Sequence, residues 1–118
     1  MERIKKVSLD GLSITKHIPP FEKYGLGDQL RRAAVSVSSN IVEGNYRFSI
    51  RGQIRFIEIS FGSLMEVYCQ LILALDMKYI SDEQLSDCKT VIERIRQMLN
   101  ALFRQKIKLL SSQRQSEE

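Results

Sequence analysis

Three arginines and three aromatics interleave in one short stretch of the chain: Tyr46, Arg47, Phe48, Arg51, Arg55 and Phe56. Guanidinium groups neutralise phosphates and flat rings stack on bases, so this mixture is the chemistry of a single-stranded nucleic-acid site. It is equally the chemistry of protein interfaces, which enrich aromatics and arginine. Arg47, Arg51 and Arg55 are the first candidates for phosphate contact, with Arg51 and Arg55 one helical turn apart. Arg104, Lys106 and Lys108 are the second group, some of which would serve a helix C-terminus, where cations are favoured. No RRM or KH signature accompanies either group.

A second constellation is polar and small. Arg32, Ser36, Ser39 or Asn40, and Glu43 recur three or four residues apart, which puts them on one face of a helix. Such a stripe would be a hydrogen-bond network that fixes helix register, or a lined surface for a ligand or RNA. The first reading is preferred, because buried polar groups must find partners in any case.

Other chemistries lack their residues. His17 is the only histidine and stands before Ile18-Pro19-Pro20, where a surface or capping role fits better than catalysis. No Glu-x-x-His pattern supports a di-iron site, and one His with two Cys is too few for zinc. Gly25-Leu26-Gly27 is a turn and helix entry without the remainder of a phosphate-binding fingerprint. Gly62-Ser63 falls inside a helical pattern and reads as a close-packing notch. The expectation is a non-enzyme with no cofactor and no metal. Cys69 and Cys88 fall at apolar-periodic positions and read as buried, reduced thiols of a cytoplasmic protein.

The elements that must carry these residues are helices. The 118 residues make one domain, and 43% hydrophobic with 27% charged residues excludes a disordered chain. Ile54, Ile57, Phe61, Leu64, Tyr68, Leu71 and Leu75 advance by threes and fours, predicting a long helix over about 48–78. Phe56, Ile59 and Val67 lie off that seam, as in a helix buried on a second face by another subunit. Leu85, Cys88, Ile92, Ile95, Leu99 and Leu102 predict a helix over about 82–108, with Ser81 and Gln84 as its capping box. Leu30, Ala33, Ala34, Val37 and Ile41 predict one over about 28–43, closed by Gly44. A fourth, over about 4–18, ends at Pro19-Pro20. The expected fold is an all-α, antiparallel up-and-down four-helix bundle over 1–110 with a polar, frayed tail at 111–118. The apolar run Leu71–Leu75 is too short to span a bilayer, and nothing near Met1 resembles a signal peptide, so no membrane role is expected.

Charge alternates along the chain. Segment 31–56 sets Arg31, Arg32, Arg47, Arg51 and Arg55 against Glu43, segment 57–93 is acidic, and 94–118 is basic again, within a net charge of +4. A surface polarised in this way meets nucleic acid or another copy of the chain.

The run Tyr24-Gly25-Leu26-Gly27-Asp28-Gln29-Leu30-Arg31-Arg32-Ala33-Ala34-Val35-Ser36-Val37-Ser38-Ser39-Asn40-Ile41-Val42-Glu43-Gly44 resembles the motif of the bundle family named for intervening sequences of bacterial 23S ribosomal RNA genes. The resemblance continues through Phe56–Glu66, Gln70-Leu71 and the joint Lys78-Tyr79-Ile80. It weakens at the N-terminus, where the family's longer aromatic-rich helix is replaced by a segment interrupted at Gly11. The resemblance implies a four-helix bundle assembled into a ring-like homopentamer, with no catalytic residue to carry over. A related branch, the accessory variability proteins of diversity-generating retroelements, is basic, pentameric and works with a reverse transcriptase and its RNA template. Arg31, Arg32, Ser36, Asn40, Glu43, Gly44, Gly62, Ser63 and Glu66 occupy motif positions and are taken as structural. The expected partners are further copies of the chain and RNA or DNA; the alternative is a scaffold ring that docks a partner protein.

Overall fold

The computed structural model of the chain describes residues 14–22 and 24–117. Those residues form three α-helices and no strand: α1, Leu26–Asn45; α2, Ile50–Asp76; and α3, Asp82–Glu117. Two short 3-10 turns, Ile14–His17 and Pro20–Glu22, precede them. The expected first helix falls mainly on residues outside the described ones, and its last residues, Ile14–His17, are 3-10 rather than α-helical. Ile14 and Ile18 nevertheless reach the core at the N-terminal end of α1.

α2 and α3 start where the sequence supplies a side-chain cap, whereas α1 starts at Gly25 without one. Ser49 Oγ accepts the Gly52 N–H at 3.0 Å at the head of α2. Ser81 and Gln84 close a two-way box at α3, with Ser81 N–H donating to Gln84 Oε1 at 2.9 Å and Gln84 N–H donating to Ser81 Oγ at 3.1 Å. Between α2 and α3 the chain turns through Lys78 at φ 63°, and the Tyr79 N–H returns to Ala74 O at 2.9 Å. A left-handed residue just past a helix end is ordinarily glycine, so Lys78 holds a costly conformation here.

The core is aliphatic. Leu30, Val37 and Ile41 of α1, Leu64, Leu71 and Ala74 of α2, and Ile95 and Leu99 of α3 are buried in one cluster. α1 packs along α2 and α2 along α3; α1 and α3 have no comparable packing on each other. α2 is therefore the central helix. Its most apolar 18-residue window has a mean hydropathy of 1.4, which by length and composition alone suits a membrane span, and 33% of that window is buried among the described residues.

α3 is longer than its partner. It runs antiparallel to α2, and at about 1.5 Å per residue its position 108 comes level with Ile50. The remainder, helical to Glu117 where a frayed tail is expected from the sequence, overhangs by roughly 14 Å. The long axis of 58 Å follows from this one helix.

Candidate nucleic-acid interface

The register of α2 against α3 decides what the basic residues can do. The four-residue turn from α1 to α2 carries Tyr46, Arg47 and Phe48, and the first turns of α2 carry Arg51 and Arg55. Antiparallel pairing brings Arg104, Lys106 and Lys108 to the same end of the rod, with Arg114 on the overhang beyond. Two segments fifty residues apart in sequence thus form one basic end. Arg47, Arg51, Arg55, Arg104 and Lys108 are exposed, and Lys106 is half-buried.

Within this end the six candidates are not equivalent. Arg47 donates to Glu43 Oε1 at 3.1 Å, and its guanidinium lies 4.5 Å from the centre of the Phe56 ring. Phe56 is half-buried against Gly44, where a Cβ would stand 2.9 Å from Phe56 Cβ. Gly44 thus permits the close approach that seats Phe56, and Phe56 in turn seats Arg47. Arg51 and Arg55 stand on the solvent side of α2. The turn itself is pinned, since Gln53 Nε2 donates to Arg47 O at 2.9 Å and the Tyr46 and Arg47 N–H groups return to Glu43 O and Gly44 O. Tyr46 and Phe48 project from it, 80% and 106% exposed.

The polar stripe divides in two. Ser36 Oγ meets Ser63 Oγ across the α1–α2 contact at 2.7 Å, and Asn40 Nδ2 donates to Ser36 O at 2.7 Å and to Ser36 Oγ at 2.9 Å. This is the register-fixing network expected from the spacing. Arg32 and Glu43 do not join it. Arg32 pairs with Asp28 at 3.0 Å, as Glu43 pairs with Arg47, each with a neighbour one turn away. Such exposed pairs contribute at most about 1 kcal/mol. Arg31 is half-buried and lines, with Arg32, Val35, Ser36 and Ser39, the outer slope of α1.

Two polar residues of the core escaped the sequence reading. Ser60 is fully buried and donates to Val37 O at 3.0 Å. Gln70 is buried and donates to Gln29 Oε1 at 2.9 Å and to Glu66 Oε1 at 3.3 Å, while its own Oε1 has no partner among the described residues. Their spacing would have exposed them: Ser60 lies three residues after Ile57 and four before Leu64, and Gln70 three after Val67 and four before Ala74.

Gly62 departs from its expected role. An added Cβ would meet nothing within 4 Å among the described residues, so no neighbour within them needs the notch. Gly62 lies on an outer α2 face with Ile59, Met65 and Leu73, which are 39%, 56% and 49% exposed. Cys69 is on this face too, exposed rather than buried because it falls one residue past the seam position Tyr68; Cys88 is half-buried. On α3, two hydrogen bonds from Arg96 hold the Glu93 carboxyl below the usual glutamate range and raise the Arg96 guanidinium. Among the described residues no group of three His, Cys, Asp or Glu side chains gathers.

A central apolar helix flanked by two others, a serine–asparagine register lock and one cationic end define a helical-bundle protein with a polarised surface. Residues 1–101 match the 23S rRNA-intervening sequence proteins, and the chain belongs to that family. The match ends before Arg104, Lys106, Lys108 and the whole of the α3 overhang. A crystal structure from Bacteroides thetaiotaomicron VPI-5482, a protein of unknown function from the S23 ribosomal protein family, has a similar fold with a TM-score of 0.70. The two are 21% identical over 85% of this chain and 97% of that one. No curated protein matches.

Proposed function

We propose that this protein is a non-enzymatic, oligomeric accessory factor of the cytoplasm that binds RNA or DNA weakly and with little sequence preference. The observation that carries the reading is the convergence of 47–55 and 104–108 on one end of the rod. Separated in sequence, these groups have no local reason to meet. Together they offer the multiple phosphate contacts that drive sequence-independent binding.

The proposed subunit is a four-helix bundle. α1 and α3 both pack on α2 without packing comparably on each other, which leaves a fourth position that an N-terminal helix would occupy. The proposed assembly is a ring-like homo-oligomer, a pentamer by the family resemblance, with no part for a membrane. Its support within the chain is the outer face of α2. A mid-helix glycine costs about 1 kcal/mol relative to alanine, and Gly62 has no compensating contact among the described residues. A neighbouring copy set against Gly62, Ile59, Met65 and Leu73 would supply one and account for the hydropathy of α2. Repetition of the basic end around a ring would multiply a modest affinity.

The alternative reading is a scaffold ring that docks a partner protein, with the arginines engaged in assembly. Arg32–Asp28 and Arg47–Glu43 pair within one subunit; this alternative would have the arginines meet the acidic 57–93 segment of a neighbouring copy.

Fluorescence anisotropy with an oligonucleotide at several salt concentrations separates the two. The expected result is binding whose logarithmic salt slope falls by about 0.7 to 0.9 for each phosphate contact removed when Arg47, Arg51 and Arg55 become glutamine. No binding by the wild type at low salt would put the docking ring first. Equal binding by the triple variant, at unchanged oligomeric mass, would move the contacts away from 47–55.

A further inference from the structure

Cations alone do not tell a single strand from a duplex, since both present phosphates. We propose that the basic end is built for single strands, with unstacked bases seated on the exposed rings of Phe48 and Tyr46; this rests on the nucleic-acid reading above.

Of the aromatics in the basic stretch, the structure leaves two available. Phe56 already has both neighbours it needs, Gly44 beneath and the Arg47 guanidinium at 4.5 Å. Phe48 and Tyr46 are 106% and 80% exposed. They are not loose. The hydrogen bonds of the Gln53 side chain and of the Tyr46 and Arg47 N–H groups fix the turn that bears them, and the Ser49 cap fixes the first turn of α2 just beyond. Two rings held out by an ordered backbone, with Arg47, Arg51 and Arg55 within nine residues, form a platform that is organised before the ligand arrives. A duplex keeps its bases stacked on each other and gives these rings nothing to cover, whereas every unpaired base has a face to offer.

Ring exposure is not by itself the signal, as the opposite end shows. Phe21 and Tyr24 are 78% and 87% exposed there. Phe21 meets Tyr79 edge to face at 6.2 Å, and Glu22, Asp76, Asp82 and Glu83 belong to the same end. Among the described residues these acids outnumber Lys16 and Lys78, so that end attracts a polyanion less than the basic end does. Charge complementarity selects Tyr46 and Phe48.

The test is anisotropy with labelled single-stranded RNA, single-stranded DNA and the matching duplex, on the wild type and on variants of the exposed rings. The double variant Tyr46→Ala, Phe48→Ala should bind both single strands at least about tenfold more weakly, with duplex affinity and salt slope unchanged. The conservative pair Tyr46→Phe, Phe48→Trp should retain single-strand binding. Both positions are on the surface, and light scattering checks that oligomeric mass is kept. If the wild type binds and the alanine variant binds single strands equally well, the stacking proposal is overturned while the basic end stands. A changed oligomeric mass in the alanine variant would overturn it in favour of a second copy packed on the turn. If the wild type binds none of the three nucleic acids, the underlying reading fails with it.

Discussion

The two ends of the rod are built alike and charged differently. Each has a short turn between antiparallel helices, and each exposes two aromatic rings, Tyr46 and Phe48 at one end and Phe21 and Tyr24 at the other. At the first end Arg47, Arg51, Arg55, Arg104 and Lys108 outnumber Glu43, which pairs with Arg47; at the second, among the described residues, Glu22, Asp76, Asp82 and Glu83 outnumber Lys16 and Lys78. The turn geometry differs in the same sense. The basic turn keeps every residue out of the left-handed region, whereas the acidic turn forces Lys78 into it. An exposed ring is thus neutral as a functional sign until its electrostatic setting is known.

The largest expected effect separates the body of α3, which joins the ends, from its overhang. Leu99 is wholly buried, so Leu99→Ala should lower stability to chemical denaturation by about 2–5 kcal/mol. Leu109→Ala, on the exposed overhang, should change it by no more than about 0.5 kcal/mol. Equal losses would mean that something covers the overhang and that the basic end is not open.

Two helical glycines give the next largest effects, with opposite signs. Gly44→Ala drives a methyl into Phe56 and should cost about 1–3 kcal/mol, unseating Arg47 with it. Gly62→Ala should stabilise the separated subunit by about 1 kcal/mol through helix propensity while lowering the oligomeric mass at low concentration. An unchanged mass would remove the outer face of α2 from the assembly.

The smallest effect belongs to the acidic turn. Lys78→Gly should raise stability by roughly 1 kcal/mol by relieving the left-handed backbone, with thermal unfolding as the readout. It should leave nucleic-acid binding alone. A loss of affinity would show that Lys78 takes part and that the division between the ends is wrong.

Much of this architecture is legible in the residues. The three-and-four spacing places α1 and α2 within about two residues of their observed bounds, and the Ser81–Gln84 box forms as its residue types demand. The Ser36–Asn40 part of the polar stripe is legible as well. Its outer members are not, because Arg32 and Glu43 have oppositely charged neighbours one turn away, and a local pair requires less ordering than a reach across helices. The continuation of α3 to Glu117 is missed where polarity is equated with fraying: Leu, Gln, Arg and Glu there are adequate helix formers, and only Ser111, Ser112 and Ser116 are weaker. The convergence of 47–55 with 104–108 depends on helix lengths and antiparallel register, which spacing within one helix does not specify. That no described residue lies against Gly62 is illegible for the same reason, since a glycine's type does not say whether a neighbour is present.

The central claim is that nucleic acid meets the basic end and its rings, and it is tested most directly by ultraviolet cross-linking of a uridine-rich single strand followed by peptide mapping. Both ends expose aromatic residues, so the protein contains its own control. Adducts are expected on the peptide bearing Tyr46 and Phe48 and on the 104–114 segment, with none at Phe21, Tyr24 or Tyr79. Adducts concentrated at Phe21, Tyr24 or Tyr79 would contradict it.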